Sequence, residues 1–130
     1  MTDTDADKAA IIALDAIWSK AASSGDLETV VNIYAPDGSL VWPGQEAVHG
    51  SAAIRTAWAA MMKTPGLSLN FTAERIDIAA SGDLAVDFGR VDFGQDTDKG
   101  HESLVGKYVV AWTKRSGEWK VLYDSYNTNS

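Results

Sequence analysis

The chain has 130 residues, of which 11 are Lys or Arg and 18 are Asp or Glu, giving a formal net charge of −7; 45% are hydrophobic and 22% charged. This length predicts one domain over residues 1–130 with a full core, the apolar share excludes disorder, and the negative charge opposes nucleic acid and anionic membrane surfaces. The absence of cysteine excludes disulfides, thiolate metal sites and cysteine nucleophiles.

The stretch from Met1 to Asp7 is acidic where a secretory leader would be basic, and no apolar run approaches the ~20 residues of a membrane span. A cytoplasmic protein without a membrane partner is expected. Ile11, Leu14, Trp18, Ala21 and Ala22 recur at helical spacing and predict a first helix over residues 5–23. Gly25 ends it, and Asp26 caps a second helix in which Leu27, Val30, Val31 and Tyr34 share a face. Pro36-Asp37-Gly38 reads as a turn into a short strand over 39–42, and Pro43-Gly44-Gln45-Glu46 returns the chain through Ala47-Val48-His49. Ser51 is the expected cap of a third helix, with Ile54, Ala57, Trp58, Met61 and Met62 on its buried face and Pro65-Gly66 at its end.

From Leu67 the period changes to 2. Leu67, Leu69, Phe71 and Ala73 share one parity while Ile76 and Ile78 take the other, which predicts a bulge near Glu74–Arg75. Ser81-Gly82-Asp83 turns into a strand over 84–93, residues 94–100 form a polar loop, and a long strand over 103–115 turns at Ser116-Gly117 into a last strand over 118–127. Helices followed by a meander predict an α+β domain, three helices packed on a curved antiparallel sheet. A two-residue turn pairs Arg115 with Glu118, Trp112 with Val121, Val110 with Tyr123 and Tyr108 with Ser125. Tyr108, Val110, Trp112, Val121 and Tyr123 then face the helices. Lys107, Val109, Ala111, Thr113, Leu122, Asp124 and Tyr126 face outward. Val109, Ala111, Leu122 and Tyr126 make an outer apolar strip that predicts a homodimer.

Trp18 with Gly25-Asp26, the run from Tyr34 to Gly38, and His49-Gly50 with Ala53-Ile54 and Trp58 form an ordered set. It continues through Ser81-Gly82-Asp83-Leu84-Ala85, Gly106-Lys107-Tyr108, Trp112, the run from Gly117 to Val121, Asp124 and Asn127. Over nearly the whole chain this set resembles the nuclear transport factor 2-like superfamily, in its SnoaL-like and ketosteroid-isomerase-like branch. The resemblance implies a cone-shaped roll with an internal pocket, in a superfamily that includes isomerases, cyclases, dehydratases, epoxide hydrolases and association domains. In a ketosteroid isomerase the general base precedes a proline on the short strand after the second helix, where this chain has Trp42. The oxyanion-binding tyrosine position holds Trp18. The acid on the penultimate strand should fall near Ala111, and no Asp or Glu occurs between Glu102 and Glu118. The resemblance therefore implies a related pocket rebuilt with tryptophans, not a ketosteroid isomerase.

The candidate ligand-binding residues are Trp18, Tyr34, Trp42, Trp58, Tyr108, Trp112 and Tyr123, aromatic bodies whose polar tips need partners when buried, with His49 at the pocket mouth. Packing in the core is the competing role for the aromatics. Asp87 is the one candidate catalytic residue. If it points inward with Gly89, Val91 and Phe93, it comes within reach of Tyr108 or Tyr123, where burial would raise its pKa; a solvated strand acid is the alternative. Gly89 would leave space beside it. His101 reads as surface, and Lys107 with Asp124 as a structural ion pair. No metal or cofactor is expected. Three functions stay open: binding of a small apolar or aromatic molecule, an isomerase, cyclase or dehydratase acting on one, and an oligomeric association domain.

Overall fold

The computed structural model describes residues 4–129; Met1, Thr2 and Asp3 of the acidic N-terminal stretch, and Ser130, lie outside the described residues. Three helices, α1 (Thr4–Ser24), α2 (Leu27–Ile33) and α3 (Ser51–Met61), accompany six strands: β1 (Tyr34–Val41), β2 (Val48–His49), β3 (Ser68–Ile78), β4 (Leu84–Thr97), β5 (Gly100–Arg115) and β6 (Glu118–Thr128). The strands form one sheet in the order β2-β1-β6-β5-β4-β3. The fold is the α+β cone, with one correction to the sheet: β1 runs parallel to β6, so the sheet is mixed. Among the described residues no helix is long and apolar enough to cross a membrane.

Local chemistry accounts for most element boundaries. Asp26 caps α2 by accepting from the Thr29 backbone N–H at 3.2 Å. Tyr34 leaves α2 and begins β1. Pro36-Asp37-Gly38 is a shift of register inside β1, not a turn; a Cβ on Gly38 would sit 2.9 Å from the Val121 carbonyl oxygen, so only glycine permits this approach of β1 to β6. The cap of α3 is Gly50, at φ +85°, rather than Ser51. The polar segment 94–100 is mostly strand, because β4 runs to Thr97 and β5 restarts at Gly100. The predicted bulge is present: Ala73 pairs with Gly89 and Arg75 with Phe88, leaving Glu74 extra.

β3 ends the sheet, and an open edge leaves backbone groups to satisfy. Helix α1 satisfies two of them. The Phe71 N–H donates to Ser19 Oγ and the Leu69 N–H to Ser23 Oγ, each at 2.9 Å. Asp15 lies one turn earlier on the same stripe, which brings a carboxyl group to this seam.

The last hairpin departs from the simple pairing. Arg115–Glu118 and Trp112–Val121 hold, but Ala111 pairs with Tyr123, Val110 with Asp124 and Tyr108 with Tyr126. Leu122 is an extra residue, and every later side chain of β6 changes face. Tyr123, expected in the pocket, is 56% exposed on the outer face, whereas Asp124, expected outside, is 2% exposed. Lys107 therefore does not pair with Asp124; its Nζ donates to the Thr128 carbonyl oxygen at 3.1 Å. Tyr126 turns inward and packs against Trp42.

Candidate functional site

Six of the expected aromatics, Trp18, Tyr34, Trp42, Trp58, Tyr108 and Trp112, are buried in one core cluster. Their rings meet mostly edge to face. Trp18 contacts Tyr34 at 5.5 Å and Trp112 at 6.1 Å between centroids, and lies 4.8 Å from Phe71. Trp42 contacts Trp58 at 5.5 Å. His49 does not join them: it is exposed, its Nδ1 2.7 Å from Ser39 Oγ. His101 is also at the surface, beside Asp96.

Asp87 points inward and is fully buried. Its Oδ1 accepts from the Tyr108 hydroxyl at 3.0 Å and its Oδ2 from Trp112 Nε1 at 3.2 Å. Strand register arranges this: Asp87 pairs with Val110 and Gly89 with Tyr108, so Tyr108 and Trp112 flank Asp87 on the same face. The space over Gly89 is occupied, because a Cβ there would lie 2.8 Å from Tyr108 Oη.

The partner of Asp87 is a residue the sequence reading passed over. Asp15, on α1 and only 3% exposed, lies against Asp87 and Tyr108. Burial first, and then the adjacent Asp87 carboxyl group, push the Asp15 pKa up to about 10. Neither Asp15 oxygen meets a donor, since the Tyr108 proton is committed to Asp87. A proton on Asp15, donated to Asp87, removes the conflict. Burial and the charges of Asp15 and Asp87 raise the Tyr108 pKa, so Tyr108 stays a donor.

A second polar group occupies the other side of Trp18. Trp58 Nε1 donates to the Tyr34 hydroxyl at 3.0 Å, and that hydroxyl donates to Asp124 Oδ2 at 2.5 Å. Burial raises Asp124 to about 7, with the Tyr34 bond opposing. Burial and the nearby Asp124 charge push Tyr126 up to about 12. At the base of α1, Asp7 accepts from Trp119 Nε1 at 3.0 Å and Lys114 Nζ at 3.1 Å, which hold it below the usual carboxylate range. That group is a latch between α1 and the last hairpin.

The surface comes nearest to the pair at Asp15, while Asp87 stays sealed in the interior. A cleft of about 220 Å³ between α1 and β3 is lined by Ile12, Asp15, Ala16, Asn70, Phe71, Thr72 and Ala73. Phe71 separates it from the interior, touching Trp18 and Tyr108 on its inner side. Among the described residues no cluster of three or more metal-ligating side chains occurs.

The buried acids set the pH dependence of stability. Asp15 and Asp124 have raised folded pKa values, so between the unfolded value near 3.8 and about 10 or 7, respectively, the folded state binds more protons than the unfolded one. Their contribution is therefore lost as pH rises through those windows, with a slope approaching about 1.4 kcal/mol per pH unit for each group. Urea denaturation at pH 5 and pH 8 should show a less stable protein at pH 8. Asp15→Asn should flatten the difference and raise stability at pH 8; an unchanged pH profile in that variant would contradict a protonated Asp15.

The profile of the SnoaL-like domain family matches residues 16–122. No curated protein matches the chain. Among solved structures, a protein of unknown function from Mycobacterium tuberculosis, Rv3472, superposes with a TM-score of 0.85 at 20% identity, over 98% of this chain and 74% of that one. A ketosteroid isomerase-like protein from Erwinia carotovora atroseptica gives 0.82 at 18% identity, over 94% and 95%. An NTF2-like protein with a cystatin-like fold from Novosphingobium aromaticivorans gives 0.81 at 19%, over 95% and 82%. At these identities the likeness concerns the fold alone.

Proposed function

The chain belongs to the SnoaL-like domain family, and we propose that it is an acid–base enzyme of the isomerase, cyclase or dehydratase kind, acting through Asp15 and Asp87. The observation that carries this reading is the buried carboxyl pair, Asp15 against Asp87, beneath Tyr108 and Trp112. A domain built only to bind apolar molecules has no use for two adjacent buried acids, which are costly unless paired. In enolisation Asp15 gives its proton to the substrate carbonyl oxygen, and Asp87 takes a proton from the neighbouring carbon. In dehydration the same two transfers release the hydroxyl as water and leave a double bond. Either way the pair ends with one proton, now on Asp87, and transfer across the pair resets it.

The substrate class follows from the walls. Ile12, Ala16, Phe71 and Ala73 are apolar, and the pair together with the net charge of −7 repels anions. The ligand is a small, neutral, largely apolar molecule carrying an oxygen, and Phe71 must move to admit it. Proton–deuterium exchange at the α-carbon of 2-tetralone, followed by NMR, tests the reading. Exchange well above buffer is expected; binding without exchange would make the protein a carrier and overturn the enzyme reading, and so would the absence of both.

The outer face supports a homodimer. Tyr126 is not in the strip and Ala111 and Leu122 are half-buried, but Val109 remains, joined by Val86, Phe88, Val105 and Tyr123, all exposed. Light scattering should give twice the 13.9 kDa chain mass, and the double variant Phe88→Lys, Val109→Lys should halve it. A wild-type monomer at micromolar concentration would remove this reading.

A further inference from the structure

We propose that Trp42 and Asp124 form a second subsite that binds a hydroxyl group of the substrate, at the end opposite the reacting pair. The inference rests on the acid–base reading and supplies the rest of the substrate's chemistry. Two buried polar atoms in this region have no partner: Trp42 Nε1 and Asp124 Oδ1. Both residues are over nine-tenths buried. The other side of Asp124 is already fixed. Because Tyr34 accepts from Trp58, its hydroxyl proton goes to Asp124 Oδ2, and only Oδ1 stays open.

The sheet keeps the two open atoms in one region. Parallel pairing of Leu40 with Asp124 and Val41 with Ser125 carries Trp42 alongside Tyr126, whose ring it meets at 6.1 Å. On its other side Trp42 meets Trp58, the head of the chain that ends on Asp124. Asp124 is also close enough to Asp15 to raise its pKa, so both acidic groups share one interior. Trp18 lies beside both, touching Trp112 next to Asp87 and Tyr34 next to Asp124, and its Nε1 lacks a partner as well.

Above the Asp124 pKa of about 7, an open indole N–H is a donor and an open carboxylate oxygen is an acceptor. A hydroxyl group answers both, accepting from Trp42 and donating to Asp124. A carbonyl only accepts, an ammonium only donates, and a hydrocarbon does neither. The favoured ligand is therefore a neutral molecule with the reacting oxygen at one end and an alcohol or phenol at the other. A bound water would present the same chemistry, and the test separates the two.

Calorimetry with 2-tetralone and 6-hydroxy-2-tetralone makes the comparison in the unaltered protein. The hydroxyl should tighten binding by about tenfold or more, as in sites built to hydrogen-bond a substrate hydroxyl. Trp42→Phe removes the donor. Asp124→Asn must turn its amide oxygen toward Tyr34, which replaces the open acceptor with an N–H. In each variant the ratio of the two affinities should fall toward one, so that most of the hydroxyl's advantage is lost. Equal affinity of the two ketones for the wild type overturns the subsite. So does equal affinity combined with a lowered melting temperature in both variants, which would assign the pair to a structural water. If 2-tetralone itself fails to bind, the acid–base reading fails first; if it binds and exchanges while the hydroxyl adds nothing, only the subsite fails.

Discussion

Asp87→Asn should lower the 2-tetralone exchange rate by about 100- to 10,000-fold, the usual contribution of a positioned general base, while leaving the fold intact. The amide keeps the volume of the carboxyl group and can still accept one of the two hydrogen bonds that Tyr108 and Trp112 donate. It cannot take a proton from carbon. Asp15→Asn should cost less, because its amide can still donate toward a substrate oxygen, although without transferring a proton. The order of the two losses is therefore part of the expectation. A variant at position 87 that exchanges at the wild-type rate would remove Asp87 from the chemistry. Near-ultraviolet circular dichroism, sensitive to the buried tryptophans, checks that the interior is unchanged.

Gly89→Ala should be among the most damaging single-methyl additions in the chain. Gly89 pairs with both Ala73 and Tyr108, next to the β3 bulge. An added Cβ would run into the Thr72 carbonyl oxygen and would stand 2.8 Å from Tyr108 Oη and 2.9 Å from its Cε2. The carbonyl belongs to a strand and cannot turn aside, so either β3 shifts or Tyr108 leaves Asp87. Overpacking of this kind costs about 1–3 kcal/mol, read as a lowered urea midpoint. Loss of the Tyr108 hydrogen bond adds a loss of exchange. A variant as stable and active as the wild type would mean that the pocket is looser than the register requires.

Much of this arrangement was legible in the residues. Period-3.6 stripes located the three helices, the parity change between Ala73 and Ile76 located the β3 bulge, and the Ser116-Gly117 turn fixed the start of the last hairpin. The direction of Asp87 was not legible in the alternation, because Val86 and Phe88 on the other parity are as apolar as Val91; its inward orientation was an expectation, and the structure buries it. Two failures have physical causes. Apolar residues on both parities hide the extra residue Leu122, so the bulge in β6 left no mark in the pattern, and the faces of Tyr123 and Asp124 were exchanged. Asp15 went unread because a helical aspartate is ordinarily solvated. Its signal was position: it stands four residues after Ile11 and three before Trp18, on the stripe itself, with Ser19 and Ser23 following at the spacing that meets the β3 edge. A polar residue on an apolar stripe is the cue for a buried site.

The carbon-13 chemical shift of the Asp15 carboxyl group, followed from pH 3 to pH 11 in protein labelled at aspartate and assigned by Asp15→Asn, tests the shared proton most directly. The arrangement of Asp15 against Asp87 and Tyr108 predicts a protonated Asp15 at pH 7, titrating up toward about 10, with the value falling in Asp87→Asn as the neighbouring charge is removed. An Asp15 that titrates near the ordinary aspartate value of about 4, unmoved by Asp87→Asn, would contradict the proton-holding pair and the acid–base chemistry built on it.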